Sequence, residues 1–242
     1  HKEGKLDLTF HEENFETRLA KICSHNLEAG KECLSAIHGK GGGKHTGEGM
    51  FGLITHPKIL SAVEDIIGPE IVGSSVYRIR PKVPLMEKGA VPWHQDSGYT
   101  LPHCDQHLIV TCWVALVDAN EANGCLQVIP RAHQGGICTH HRGGQGGYLV
   151  IMEKDLPPGS PLTIPVPKGG VLFMHNLLPH SSALNLTDQV RWSIDVRYQS
   201  ADVPNNTEQN PSDFDPGLPE VEMACYPPEA DFVIKSQRDP HK

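Results

Sequence analysis

The sequence predicts a mainly β protein, a jelly-roll barrel with helices packed on one outer face. Three observations predict it. Beyond residue 70 the chain reads as seven or eight short apolar runs separated by turn residues. Its 24 Gly and 20 Pro fall largely between those runs. From residue 190 to 198 the alternation is clean: Val190, Trp192, Ile194, Val196 and Tyr198 share one parity, Arg191, Ser193, Asp195 and Arg197 the other. Successive strand side chains point to opposite faces, so this is a strand with an apolar face and a charged one. A charged inner face suits a barrel that holds a small anion.

The elements follow in order. Residues 12–28 place Phe15, Leu19 and Ile22 at helical spacing and predict an amphipathic helix. A glycine-rich stretch, 39–49, reads as a mobile loop. Its Gly41-Gly42-Gly43-Lys44 is not a phosphate loop, because His45 stands where Ser or Thr is required. Residues 57–67 predict a second helix, with Pro57 at its start and Gly68 just past its end. Strands are expected at 72–80, 108–117, 125–129, 148–151, 162–166, 171–175 and 190–199. The chain is read as one domain, with a helical flank at about 12–68, the barrel at about 70–200 and a Pro-rich, acidic arm at 201–242, anchored by Tyr226 and Phe232. Loops 97–106 and 132–147 are expected to border the barrel mouth.

Composition narrows the function. A formal charge of −8 argues against a nucleic-acid or anionic-membrane surface. No stretch approaches the ~20 apolar residues that span a bilayer. The seven cysteines are scattered, without Cys-x-x-Cys, and Cys112 and Cys125 sit in apolar runs as small buried residues. A reduced, intracellular, cytoplasmic setting is therefore expected. The opening residues carry no signal-peptide core and no initiator Met, so a removed targeting segment stays compatible. Two glycosylation sequons, at Asn185 and Asn205, are of a kind common by chance. Oligomeric state is left open.

The chemistry centres on Pro92-Trp93-His94-Gln95-Asp96. Two residues apart on an extended strand, His94 and Asp96 offer an imidazole and a carboxylate to one point. A second imidazole, His180, completes a 2-His-1-carboxylate face, which suits Fe(II) and leaves positions open for a bidentate cosubstrate and dioxygen. Asn185-Leu186-Thr187-Asp188 reads as a turn. If the strands beside it pair as a hairpin, Ser182 falls nearly opposite Arg191. Pairing of Arg191 with Asp188 or Asp195 is the alternative.

With the runs Asn123-Gly124-Cys125-Leu126, Lys168-Gly169-Gly170-Val171-Leu172-Phe173 and Leu178-Pro179-His180-Ser181-Ser182, and Arg191 eleven residues after His180, the chain resembles the phytanoyl-CoA dioxygenase family of Fe(II)/2-oxoglutarate oxygenases over roughly residues 70–200. The resemblance implies a double-stranded β-helix, cupin-like fold. It implies iron at His94, Asp96 and His180, with Arg191 and Ser182 on the remote carboxylate of 2-oxoglutarate. Trp113 matches a family Trp near the cosubstrate, with a one-residue gap. His175 competes for the distal position, but has the opposite strand parity and lacks the Ser and Arg at matching offsets. The implied reaction hydroxylates a C–H bond of a small molecule and releases succinate and CO2. Asp96 stands where halogenating relatives have Ala or Gly, which disfavours halogenation. A zinc hydrolase and a non-catalytic barrel are the rival readings. Arg78, Arg80, Tyr99, Gln127, Arg131, His133 and Arg197 are the candidate substrate residues, their cations suggesting an anionic substrate.

Overall fold

The computed structural model describes residues 7–38, 47–74, 77–86, 89–100, 102–144, 147–203 and 232–238. Most of the glycine-rich loop, Cys225, Tyr226 and the sequon at Asn205 lie outside them. Four helices come first: α1 (Arg18–His25), α2 (Leu27–His38), α3 (Glu48–Ile54) and α4 (Pro57–Ile67). The strands are β1 (Ile71–Gly73), β2 (Arg78–Lys82), β3 (Val91–His94), β4 (Ile109–Ala115), β5 (Leu126–Val128), β6 (Leu162–Ile164), β7 (Val171–His175), β8 (His180–Ser182), β9 (Arg191–Ser200) and β10 (Phe232–Lys235). They form two antiparallel sheets. One runs β10-β1-β9-β4-β7, with β2 also on β9; the other runs β3-β8-β5-β6. This is the expected jelly-roll, in which distant strands pair and consecutive ones often sit in opposite sheets.

Strand alternation builds both the core and the site. On β4, Val110, Cys112 and Val114 pack outward with Ile194, Val196 and Tyr198 of β9. The helices cover that face with Met50, Ile54, Ile59 and Val63, and the Tyr198 hydroxyl donates to the Ile54 carbonyl at 2.7 Å. The other parity of the same strands faces the second sheet. There Trp113 and Ala115 meet Leu126, Val128 and Met174, while Arg191, Asp195 and Arg197 line a cavity. The charged face of β9 is therefore the inner one, as its pattern predicts.

α4 forms where expected: Pro57 opens it, the His56 side chain accepts from the Lys58 N–H, and Gly68 ends it at φ 87°. Elsewhere the structure corrects the sequence reading. The helix expected at 12–28 begins only at Arg18, because Asn14 and Thr17 engage side-chain hydrogen bonds that build a turn first. Phe15 is not on that helix; it stacks on Trp192 at 4.7 Å. Helices α2 and α3 were not anticipated. The run 72–80 divides into β1 and β2, and 148–151 holds only a bridge between His141 and Val150.

Residues 180–182 and 191–200 do not form a hairpin. β8 pairs with β3 and β5, whereas β9 pairs with β1, β2 and β4. The chain crosses between the sheets at 183–190, and Ser182 and Arg191 line the same cavity from opposite sheets instead. Asn185 makes that crossing. Its amide donates to the carbonyls of Lys82 and Gln189, and its oxygen accepts from Thr187. It is 1% exposed, so this sequon is part of the core.

Of the C-terminal arm, β10 adds an edge strand beside β1, and Glu70 accepts from the backbone of Gln237 and Arg238. Phe232 packs on the helix-covered core, as expected of an anchor. Cys112 and Cys125 are buried, and the six described cysteines form no disulfide. Among the described residues no helix is long and apolar enough to cross a membrane.

Candidate metal centre and its pocket

β3 ends on His94, and Gln95 continues extended at φ −114°, ψ 146° before a 3-10 turn begins at Asp96. Asp96 is thus not on the strand. The extended Gln95 preserves the parity, so imidazole and carboxylate still project together. His180 sits directly opposite His94 in the β3–β8 register, with ring centroids 4.2 Å apart. Candidate ligand atoms of His94, Asp96 and His180 all lie within 4.8 Å of one another, and all three residues are buried.

Hydrogen bonds prepare each ligand. His94 Nδ1 lies 2.9 Å from the Pro92 carbonyl and His180 Nδ1 2.9 Å from that of Leu178. A carbonyl only accepts, so Nδ1 carries the proton and Nε2 keeps its lone pair toward the cavity. Burial, reinforced by His180, presses the His94 pKa down to about 3, which keeps the ring neutral. Burial alone would raise the Asp96 pKa. The Arg197 guanidinium outweighs it and holds the carboxyl well below its usual range. Arg197 Nη2 donates to Asp96 Oδ1 at 2.9 Å and Nε to Oδ2 at 3.2 Å, where the Thr111 hydroxyl also donates.

Beyond Arg197 the charges alternate outward. Arg197 Nη1 donates to Asp195 at 3.1 Å, and Arg80 Nε donates to the other Asp195 oxygen at 2.7 Å. The Arg80 side chain, 31% exposed, reaches the opening.

Arg191 lies on the same cavity wall, 3% exposed, with its guanidinium carbon 5.0 Å from the centre of the Trp113 ring. Nη1 donates to Ser193 at 2.9 Å, while Nε has no hydrogen-bond partner. Neither Asp188 nor Asp195 forms an ion pair with it; Asp195 is shared by Arg80 and Arg197. Lys82, across the β2–β9 register from Arg191, is also 3% exposed and donates to Ser182 Oγ at 2.7 Å and to the Ala183 carbonyl.

A family model described as phytanoyl-CoA dioxygenase matches residues 30–193, more than half of the chain. The chain belongs to the phytanoyl-CoA dioxygenase family. It is 32% identical over 160 residues to peroxisomal phytanoyl-CoA dioxygenase of Rattus norvegicus, an alignment covering 64% of this chain and 47% of that protein. The chain thus spans about half the length of the curated relatives it matches. Among solved structures, the apo form of the non-heme monooxygenase ThoJ superposes with a TM-score of 0.59 at 20% identity, covering 91% of this chain and 75% of that one. The non-heme α-ketoglutarate-dependent epimerase SnoN from nogalamycin biosynthesis gives 0.50 at 26% identity, covering 64% and 59%.

The residues present fit the family's iron. Two imidazoles whose Nδ1 is engaged by a carbonyl and one carboxylate held ionised by Arg197 make a hard-to-borderline donor set suited to Fe(II). They also fit 2-oxoglutarate, since a buried guanidinium with an unsatisfied Nε is an anion site awaiting its anion. The family's Asn-Gly-Cys-Leu motif packs against this end. Gly124 sits at φ 73°, and a Cβ there would stand 2.4 Å from the Ala183 carbonyl and 3.0 Å from Lys82.

Of the sequence-derived site residues, the structure gathers His94, Asp96, His180, Ser182, Arg191, Trp113, Arg80 and Arg197 around one cavity. The remaining substrate candidates do not line it. Gln127 has the opposite parity to Leu126, which does. Arg131 is exposed in a left-handed turn at φ 64°, and His133 stacks on His175 at 5.1 Å. Arg78 shares the parity of Arg80 but lies beyond the cavity wall, donating to the Tyr77 carbonyl. Tyr99 stands edge-on to His94, and its hydroxyl accepts from the Leu149 N–H. Arg197 does line the cavity, but it braces Asp96 and Asp195.

Sequence reasoning missed Lys82, Thr111 and the role of Gln95. The Gln95 side chain, fully buried, donates to the carbonyls of Gly136 and Leu177 and accepts from the Cys138 N–H. It thereby ties the His94–Asp96 segment to the approach to His180 and to the 132–144 loop. The loop answers through His140, whose Nε2 accepts from the Gln95 N–H at 3.0 Å. Parity exposes Lys82 as inward-facing, since Arg80 and Lys82 alternate with Ile79. Nothing in the sequence shows what Lys82 meets.

Proposed function

We propose that this chain is an Fe(II)- and 2-oxoglutarate-dependent dioxygenase that hydroxylates a C–H bond of a small anionic molecule, releasing succinate and CO2. One observation carries the reading: a prepared 2-His-1-carboxylate set shares a cavity with a buried arginine whose Nε has no hydrogen-bond partner and which forms no ion pair among the described residues. A zinc hydrolase would leave that arginine unused. His94, Asp96 and His180 hold the iron. Arg191 and Ser182 hold the remote carboxylate of 2-oxoglutarate, with Trp113 supporting the guanidinium through its ring face. When bound, iron and 2-oxoglutarate would supply the dioxygen activation that attack on C–H requires, chemistry that belongs to the cofactors.

The protein's own share is orientation and exclusion of water. Nδ1–H bonds fix both imidazoles, Arg197 and Thr111 fix the carboxylate, and the apolar wall of Trp113, Leu126 and Met174 dries the space between. An anionic substrate is favoured by charge. Arg80, Lys82, Arg191 and Arg197 line the cavity against Asp96 and Asp195 only, in a chain that is acidic overall. Iron and dianionic 2-oxoglutarate cancel each other, so the excess of cations persists in the loaded site. Arg80 at the opening is the group that meets the substrate.

The test is a metabolite library incubated with Fe(II), 2-oxoglutarate and oxygen, read as substrate-dependent succinate. Acidic compounds are expected among the positives, each gaining one oxygen by mass. Succinate without oxygen insertion would point to an epimerase-type outcome, and no succinate with any compound would reject the reading.

A further inference from the structure

The cosubstrate end of the cavity holds a second basic side chain beside the arginine. Lys82 and Arg191 face each other on neighbouring strands, both 3% exposed. Neither forms an ion pair among the described residues. Burying two adjacent cations without a carboxylate is costly, and a lysine needed only for packing would be better replaced by methionine. The ammonium has three N–H donors. Two go to Ser182 Oγ and the Ala183 carbonyl, and the third has no partner among the described residues. Lys82 also lines the same cavity as Ser182 and Arg191.

Resting on the 2-oxoglutarate reading above, we propose that Lys82 is a second cationic ligand of the remote carboxylate, and that the Lys82–Arg191 pair makes the site selective for 2-oxo acids bearing that carboxylate. Arg191 supplies a planar fork; Lys82 supplies a point charge and positions the Ser182 hydroxyl that binds the same group. The orientation of Ser182 follows from the bond it accepts. Accepting from Lys82 Nζ leaves the hydroxyl's own proton available to donate to a carboxylate bound in the cavity. Arg191, Lys82 and Ser182 thus all present donors to one place, an arrangement complementary to a carboxylate and to no neutral chain end. Burial, reinforced by Arg191, lowers the Lys82 pKa to about 6 in the empty site, so at neutral pH the amine is largely unprotonated there and takes up its proton as the carboxylate enters.

The test uses Fe(II)-loaded protein without oxygen and measures binding by calorimetry. Its two probes are 2-oxoglutarate and 2-oxopentanoate, which has a methyl group where the remote carboxylate stands. Wild type is expected to prefer 2-oxoglutarate by at least a hundredfold. Lys82→Met should weaken 2-oxoglutarate at least thirtyfold and change 2-oxopentanoate less than threefold. Lys82→Gln, which keeps a donor toward Ser182 without the charge, should behave like Lys82→Met. Equal weakening of both acids would show a structural role and overturn the proposal. So would an unchanged preference in Lys82→Met, or its recovery in Lys82→Gln. If wild type binds neither acid, the 2-oxoglutarate reading falls and this proposal with it.

Discussion

Replacing Arg191 by Ala tests the site most directly, and the structure sets the size of the effect. Arg191 is 3% exposed, its Nε has no hydrogen-bond partner, and no carboxylate among the described residues pairs with it, so the site is open to an anionic ligand. Removing one member of a desolvated charge pair costs about 2–5 kcal/mol. At tenfold per 1.4 kcal/mol, this weakens 2-oxoglutarate by about 30-fold to several thousandfold. The assay is thermal unfolding of the Fe(II) protein under anaerobic conditions. With 2-oxoglutarate at a hundred times the wild-type Kd, ligand linkage stabilises wild type by about 2.7 kcal/mol. For a chain of this size that raises Tm by about 5–10 °C. In Arg191→Ala the same concentration is at most about three times Kd, so stabilisation falls below about 1 kcal/mol and the rise below about 3 °C. Arg191→Lys should recover only part, because a point charge replaces a fork. An undiminished cosubstrate-induced rise in Arg191→Ala would refute the reasoning.

His180→Ala should lose Fe(II) binding while His175→Ala keeps it, measured by metal content after anaerobic desalting; the reverse pattern would move the distal ligand. For Lys82, the folded pKa of about 6 lies below the ordinary lysine value of 10.5, so between these pH values the unfolded chain holds a proton that the folded one lacks. Stability of the ligand-free protein should therefore rise with pH across that window, by up to about 1.4 kcal/mol per pH unit from this residue. Denaturant titrations of wild type and Lys82→Met should diverge accordingly, and parallel pH profiles would contradict the assignment. Gln95→Ala removes a buried amide that serves two carbonyls and one N–H; a loss of about 2–4 kcal/mol is expected by urea unfolding, with weaker iron binding. A stability change under 1 kcal/mol would show that these bonds are replaced.

Much of this protein was legible in its sequence, for reasons of periodicity. A strand repeats every two residues, so the order of residues 190–198 already declares an apolar face and a charged one. The same rule aligned His94 with Asp96 and preferred His180 to His175. Pro57 and Gly68 marked the ends of α4 because their backbone limits are intrinsic to the residues. Local rules fail where partners are distant. The sequence suggested a hairpin at 180–199 because its turn residues are real, yet Asn185 uses its amide to hold a crossing between sheets. Arg197 looked available to substrate until Asp96, 101 residues away in sequence, was placed against it. Parity turned Lys82 inward but not toward any partner, since its place opposite Arg191 and its bond to Ser182 100 residues away arise only when β2 and β8 close on the same cavity. Strand period and turn chemistry are properties of neighbours in the chain, and they predicted the fold class and the alignment of His94 with Asp96, while the choice of His180 rested also on the family resemblance. Charge pairing depends on which distant groups share a low-dielectric interior, and only the tertiary structure decided that.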